Sequence, residues 1–390
     1  MKRAQPDKSV AIVGASTSGL LTALLLARRG TQVTVFERAE ELDPTQRTLI
    51  VTDKMHDFVG PLGARSVVNQ IDSFELFANG TVGKVALGSP DLIIERSVLI
   101  RDLATEAANE GVELRLGSRF ESVVPTGSAL ELTFRTSHGV AKVAATTLVG
   151  ADGTQSRVAR AAGWPQQPTV PLVQAIVPLP SDCETSTSRV WFRPQDSPYF
   201  YWLIPESDSH GALGLIGEEG TPPRPILDAF LSEKGFTAEG YQAARIPCYM
   251  GWINPYRRVG GGEVYLVGDA AGHVKVSTVG GIVTGFRGAR AVTNSILTGA
   301  RAREMASLRI ELGLHLFLRR ALHQFSTEDY CDLIDLLNDG VRDSLARFNR
   351  DETPELFLRV ARTQPRLLFL MLRGLTGTKR FRKATLRSAA

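Results

Sequence analysis

Residues 10–13 (Val-Ala-Ile-Val) form an unbroken apolar run, the pattern of a strand buried on both faces. Six small residues follow, Gly14-Ala15-Ser16-Thr17-Ser18-Gly19, and then a Leu- and Ala-rich helical stretch from Leu20 to Arg29. After Gly30 a second β-branched run, 33–36, ends at Glu37. The pattern predicts strand, glycine turn, helix and strand, which is a βαβ unit. Two later apolar runs, 147–149 and 264–267, each lead into an acid among glycines: Gly150-Ala151-Asp152-Gly153 and Gly268-Asp269-Ala270-Ala271-Gly272. Gly280-Gly281-Ile282 opens a further helix, on which Gly285, Gly288 and Ala289 permit close packing. Residues 200–205 alternate as a half-buried strand does, with Phe200 and Trp202 expected on one face. Between 302 and 351 apolar residues recur at helical spacing through Leu308, Leu312, Leu316 and Phe317, and again through Leu333, Leu336 and Leu337.

At 390 residues the chain suits two or three structural regions around a large core. Its three cysteines, Cys183, Cys248 and Cys331, have no C-x-x-C spacing. They imply neither a disulfide framework nor a metal site, and they suit a reducing cytoplasm. No apolar stretch reaches the roughly 18 residues of a membrane span. Lys2, Arg3 and Lys8 precede an apolar segment, as in a signal peptide, but the glycine turn and Glu37 account for that segment better. The net charge of +4 hides an uneven distribution, because the nine Lys/Arg from Arg359 onward face no acid. The basic character therefore belongs to the tail and not to the body. A cluster confined to one end, with no recognised binding motif, argues against a nucleic-acid partner.

The glycine turn aims backbone N–H groups and a helix N-terminus at a pyrophosphate, while Glu37 accepts hydrogen bonds from a ribose hydroxyl. Gly14, Ser16, Gly19, Glu37 and Arg38 are the candidates of this dinucleotide site, with Ser16 standing where a second glycine is usual. An acid at the end of a parallel strand faces the cofactor crevice, which nominates Asp152 and Asp269. Gly280, Gly281 and Ile282 can bring N–H groups against an anion or a ring carbonyl.

In this order and at these separations, the three signatures resemble the FAD-dependent monooxygenases and reductases built like aromatic hydroxylases. The resemblance covers about residues 8–300. It implies that the first motif holds the ADP part of FAD, that Asp152 and Gly153 lie near the pyrophosphate, and that Gly268 and Asp269 bind the ribityl chain. Arg96, with Leu99 and Leu103 behind it, matches the family helix whose Arg contacts the dinucleotide. The finer likeness is to geranylgeranyl reductases. Their third motif reads Gly-Asp-Ala-Ala-Gly-x-Val-Lys-Pro-x-Thr-x-Gly-Gly-Ile, and residues 268–282 depart from it only at Val276. Residues 200–205 are similar to the reductases' Tyr-x-Trp-x-Phe-Pro strand and also to a halogenase strand, a resemblance that implies Phe200 and Trp202 face the substrate cavity. Members often carry a Cys among glycines shortly after the first acid. Residues 43–52 have neither, and Arg47 is a further candidate to approach the flavin.

In the reductase reading, reduced FAD supplies hydride to one alkene carbon and an acid protonates the other, in a dry apolar cavity. His56, Tyr199, Tyr201 and His273 are the candidate proton sources, and Lys275 a candidate to stabilise the reduced flavin. In the alternative reading the flavin activates oxygen, as a monooxygenase or halogenase acting on an aromatic or lipophilic molecule. A halogenase would need a lysine between its pockets, for which Lys54 and Lys84 are available. No NAD(P)H motif is visible, so NAD(P)H, a ferredoxin or free reduced flavin remain as electron donors.

The expected class is α/β: a Rossmann-like FAD-binding domain of the glutathione-reductase type, discontinuous over 1–60, 90–165 and 245–300. A β-rich substrate domain comes from 61–89 and 166–244, and a helical region from 301–390. Residues 365–373 are too short an apolar run to span a bilayer. With the basic tail behind them they suit either a core helix with a solvated end or a helix lying on the inner face of the membrane.

Overall fold

In the computed structural model, which describes residues 9–42, 45–300 and 303–375, the first apolar run becomes the strand Ser9–Val13. Lys2, Arg3, Lys8, Asp43 and the tail basics Lys379, Arg380, Arg382, Lys383 and Arg387 lie outside the described residues. Ser9–Val13 is central in a six-stranded sheet ordered Tyr256–Val259, Gly262–Leu266, Thr147–Gly150, Ser9–Val13, Gln32–Phe36 and Glu113–Arg115. All neighbours run parallel except the outermost pair, Tyr256–Val259 with Gly262–Leu266. Register does the functional work here. Val13 pairs with both Phe36 and Gly150, and Gly150 pairs with Leu266, so the strands end level. The glycine turn, Glu37, Asp152 and the turn at Gly268 therefore emerge along one edge, where an open parallel sheet binds its ligands.

The helix Thr17–Ala27 starts where Ser16 caps it, its hydroxyl accepting from the Gly19 N–H at 3.2 Å. This explains the serine at a glycine position, since Asn, Asp and Ser are the best N-cap residues. Leu20, Leu24 and Leu26 are fully buried, each contributing roughly 2 kcal/mol of apolar burial. They pack in one core with Leu99 and Leu103 of the helix Arg96–Asn109 and with Phe286 and Ala289 of the helix Ile282–Thr298. A three-stranded meander, Arg119–Thr126, Ala129–Thr136 and Gly139–Ala145, covers another side by stacking Phe134 on Phe36 at 4.0 Å.

The second large sheet has eight strands: Gly240–Pro247, Thr169–Pro178, His210–Ile216, Tyr201–Pro205, Thr187–Trp191, Val67–Ala78, Thr81–Glu95 and Thr48–Val51. One pair, Thr187–Trp191 with Val67–Ala78, is parallel, and the rest are antiparallel. Among the described residues five helices follow: Arg303–Leu322, Thr327–Asp335, Asp339–Arg347, Thr353–Thr363 and Pro365–Leu375. Ser326 and Asp329 form a reciprocal capping box at the second of them. The last buries Leu367, Leu370 and Met371 and leaves Phe369 and Leu372 exposed. The segment is thus a helix packed by one face, as the core-helix expectation has it. Among the described residues no helix is long and apolar enough to cross a membrane.

Candidate functional site

A cleft of about 970 Å³ opens along the level edge of the six-stranded sheet. Gly14, Ser16, Glu37, Arg38, Arg96, Asp152, Gly153 and Asp269 all line it, together with Arg47. Gly19, Gly268, Gly280, Gly281 and Ile282 are not in its wall. Gly19 instead permits helix and strand to touch, because a Cβ there would lie 2.8 Å from the Ala151 side chain. Gly281 sits behind Asp269, where a Cβ would meet its carboxylate at 3.4 Å.

The acids are held by backbone donors. Glu37 accepts from the N–H of Ala15 at 2.9 Å and of Ala39 at 3.1 Å, which fixes the acid against the glycine turn. Asp152 accepts from Ser156 Oγ at 2.5 Å and from the N–H of Arg157 and Val158, capping the short helix Arg157–Ala161. Burial nevertheless raises its pKa, the backbone and Ser156 bonds opposing that rise. Asp269 is likewise raised by burial and pulled back by Arg47 and Arg96. Both guanidiniums are lowered, first by burial, and Arg47 further by Arg96 beside it.

This wall fits an anionic dinucleotide. Arg47 Nε is buried with no protein partner, and Arg47 and Arg96 lie together near Asp269 and Glu95. Six arginines (Arg38, Arg47, Arg96, Arg119, Arg157 and Arg245) line the cleft against Glu37, Glu41, Asp152 and Asp269. The gathered guanidiniums favour a pyrophosphate. Arg245 comes from the edge strand Gly240–Pro247, which brings the eight-stranded sheet to the cofactor side. Nothing in the sequence near Arg245 marks it, because its place depends on pairing with residues 169–176.

The aromatic strand divides by face. Tyr201 turns toward the helix Pro223–Lys234, stacking on Phe230 at 3.9 Å and donating to Asp196 at 3.0 Å. Phe200, Trp202 and Ile204 turn the other way, into a cluster with Val170, Tyr199, Ile216 and Val279. Gly214 makes room for the indole, since a Cβ there would lie 2.5 Å from Trp202 Cζ2. Val279 reaches this cluster from the loop before Gly280, closed by the Lys275 N–H donating to the Gly280 carbonyl at 3.0 Å. Its φ of 58° is rare for a β-branched residue and costs roughly 1–2 kcal/mol.

The remaining candidates are dispersed. His56 is exposed and outside the cleft wall. Lys275 is 4% exposed and paired with Asp351 at 2.6 Å, away from the cleft wall. Thr52 Oγ1 donates to the other oxygen of Asp351 at 2.6 Å. His315 lies close by, bonded to Ser277 at 2.5 Å and Thr353 at 2.9 Å. Neither Asp351 nor His315 was nominated by sequence, for both lie outside any motif.

His273 is fully buried with both ring nitrogens unpartnered, and burial lowers its pKa to about 3. Burial lowers His315 to about 3 as well. Both rings stay neutral in the folded protein while the unfolded chain takes up protons near pH 6.5. Their stabilising contribution is therefore complete above pH 6.5 and lost as pH falls from there toward 3. The ceiling is about 1.4 kcal/mol per pH unit for each ring. Denaturant melts between pH 7.5 and 5 are expected to show this slope, and His315→Gln should flatten it. An unchanged slope in that variant would refute the assignment for His315.

Residues 7–210 match the FAD binding domain family. The chain belongs to it. It is an FAD-dependent oxidoreductase. A digeranylgeranylglycerophospholipid reductase of Methanothermobacter thermautotrophicus is 29% identical over 292 residues, covering 70% of this chain and 73% of that protein. The structure of a geranylgeranyl bacteriochlorophyll reductase-like protein from Thermoplasma acidophilum superposes with a TM-score of 0.78 at 16% identity, over 94% of this chain and 99% of that one. A flavin-dependent halogenase superposes with a TM-score of 0.67, also at 16% identity, over 94% of this chain and 78% of that one. At such identities the structural likenesses establish the shared fold.

Proposed function

We propose that this flavoprotein reduces C=C bonds of a prenyl or other hydrophobic chain. The observation that carries the reading is the apolar face formed by Phe200, Trp202, Ile204 and Val279, joined through Val279 to the loop before Gly280. Bound FAD supplies the reducing equivalents. Gly14, Ser16, Glu37, Arg38, Arg47, Arg96, Asp152, Gly153 and Asp269 would hold it, and Gly280, Gly281 and Ile282 would back its ring end. The chain's own task is to exclude water, hold the substrate and deliver a proton.

That proton we assign to Tyr199. His273 is neutral, Lys275 is committed to Asp351, Tyr201 faces the far side, and His56 is on the surface. Tyr199 lies on the apolar face, and burial, reinforced by Cys248, pushes its pKa up to about 12, so it keeps its proton at neutral pH. Tyr199→Phe is expected to lower kcat about 100-fold, the low end for loss of a general acid, with FAD content unchanged. Wild-type kcat in that variant would remove Tyr199 from the reaction.

A halogenase is less well supported. Lys54 pairs with Glu352 at 3.3 Å, Lys84 with Glu184 at 3.5 Å and Lys275 with Asp351. The relatives named for lipid reduction and the exposed Phe369 and Leu372 also support a lipophilic substrate taken from a membrane surface. Photoreduction under argon removes the need to know the natural electron donor. Mixing the reduced protein with oxygen should return oxidised flavin directly, and anaerobic mixing with geranylgeranyl lipid should saturate the chain. A persistent new near-ultraviolet band with oxygen, and no reduction of the lipid, would overturn the reading in favour of oxygen chemistry.

A further inference from the structure

Arg319 is a buried cation, 6% exposed, on the inner side of the helix Arg303–Leu322. Among the described residues it has no carboxylate partner. Its guanidinium donates to the Pro198 carbonyl and, at 3.3 Å, to His323 Nδ1, and it lies 4.1 Å over the Tyr199 ring. Its Nε is buried and unpartnered. Burial lowers its pKa, yet a guanidinium in a protein does not give up its proton. His323 is lowered too, by burial and by Arg319, which keeps it the neutral acceptor of this bond. The charge is thus buried at a cost of several kcal/mol without the pairing that normally offsets it.

The same guanidinium faces a cavity of about 630 Å³, separate from the cofactor cleft. Val170, Tyr249 and Leu316 supply apolar wall, Met250 and Leu375 add exposed apolar surface, and Arg320 adds a second cation. Two carboxylates also border it. Glu219 is engaged by Arg245 at 2.6 Å, and Glu218 is exposed. A mostly apolar pocket with a desolvated cation in its wall has the chemistry of an amphiphile site.

We propose that this cavity binds an amphiphile by its anionic head, a phosphate or a carboxylate paired with Arg319, while the apolar part lies along Val170, Tyr249 and Leu316. The inference rests on the proposed lipophilic substrate, because the cavity shares Val170, Tyr199 and Cys248 with the face that carries Trp202. It adds that the substrate has a charged end and that this end is read by a helix of the C-terminal region.

The test is calorimetric titration of the FAD-loaded protein with dodecyl phosphate, laurate and dodecanol, all below micellar concentration. One site per chain is expected for dodecyl phosphate or laurate, and the tighter of the two identifies the head group. Dodecanol should bind at least tenfold more weakly. Arg319→Gln removes the charge and should weaken the anionic ligand by thirty-fold or so, as when one partner of a buried charge pair is lost. Because Arg319 also supports the Pro198 carbonyl, His323→Glu is the second variant. It leaves Arg319 in place, offers it a carboxylate from an exposed position, and should compete with the head group to a similar extent. Equal affinity for dodecanol and dodecyl phosphate would overturn the proposal, as would wild-type affinity in a folded, FAD-replete His323→Glu protein. Binding is read without turnover. A protein that binds dodecyl phosphate but leaves prenyl chains unreduced keeps this site and loses the reductase reading, and the reverse result loses the site alone.

Discussion

Gly14→Ala is expected to yield protein without flavin and with stability lowered by at least about 3 kcal/mol, at the upper end of single-substitution effects. Two causes act together. The φ of Gly14 is 104°, outside the range an alanine adopts without strain. The added Cβ would also lie 2.5 Å from the Ala151 carbonyl oxygen and 2.8 Å from its carbon. These are backbone atoms of the neighbouring strand turn, locked because Ala151 N–H donates to Val13 at 2.8 Å. They cannot withdraw without separating the first two cofactor motifs. Gly30→Ala is the control. Its φ of 75° carries similar strain, but no atom stands within 4 Å of the new Cβ. It should cost only about 1 kcal/mol and keep its FAD. Flavin absorbance per chain and a denaturant melt of both variants decide the matter, and equal behaviour would show that the contact with Ala151 is unimportant.

Asp351→Asn is expected to destabilise the protein by about 3–5 kcal/mol, the cost of leaving a buried charge without its partner. Lys275 is 4% exposed and its ammonium has Asp351 at 2.6 Å, so the variant strands it in the interior. Thr52 loses the anionic acceptor of its 2.6 Å bond in the same step. The carboxylate is held below its ordinary pKa, burial being outweighed by Lys275, Thr52 and Arg350. A depressed carboxyl contributes stability above its unfolded pKa of about 3.9, and that contribution disappears as pH falls through the folded value. The difference between wild type and variant should therefore be full at neutral pH and shrink only in strong acid. Pairing Asp351→Asn with Lys275→Met should restore part of the loss, since the double variant no longer leaves an unpaired ammonium buried. Additive losses in the double variant would show that the two side chains do not act as a pair.

What was legible in the sequence was local or periodic. The glycine turn, the helix behind it and Glu37 lie within thirty residues, so spacing alone put the acid at the edge where the turn opens, though not its bond with the Ala15 N–H. Arg96 was legible as well, because Leu99 and Leu103 keep helical register with it and both are fully buried. The alternation at 200–205 announced a strand with Phe200 and Trp202 on one face, but not what either face packs against. That depends on Gly214 and Phe230, which come from a neighbouring strand and a helix. Lys275 carried a motif and was assigned to the flavin, whereas its partner Asp351 is 76 residues away in a stretch that shows only helical periodicity. Arg319 was hidden for the same reason. A charged residue in an amphipathic repeat looks solvated until the packing of that helix is known.

The bond between Thr52 and Asp351 joins positions 299 apart. During synthesis the glycine turn and its βαβ unit emerge first and need only near neighbours to form. The loop from Lys275 to Gly280 has no such independence, because the anion that neutralises Lys275 is made 76 residues later. Between the synthesis of Lys275 and that of Asp351 a growing chain therefore carries an unmatched ammonium, although the last residue of the cleft wall, Asp269, has already been made. Pairings of such long range form late and leave intermediates prone to aggregation. The loop that carries Val279 is in this sense fixed from the far end of the chain, by a residue that lies outside the cleft wall.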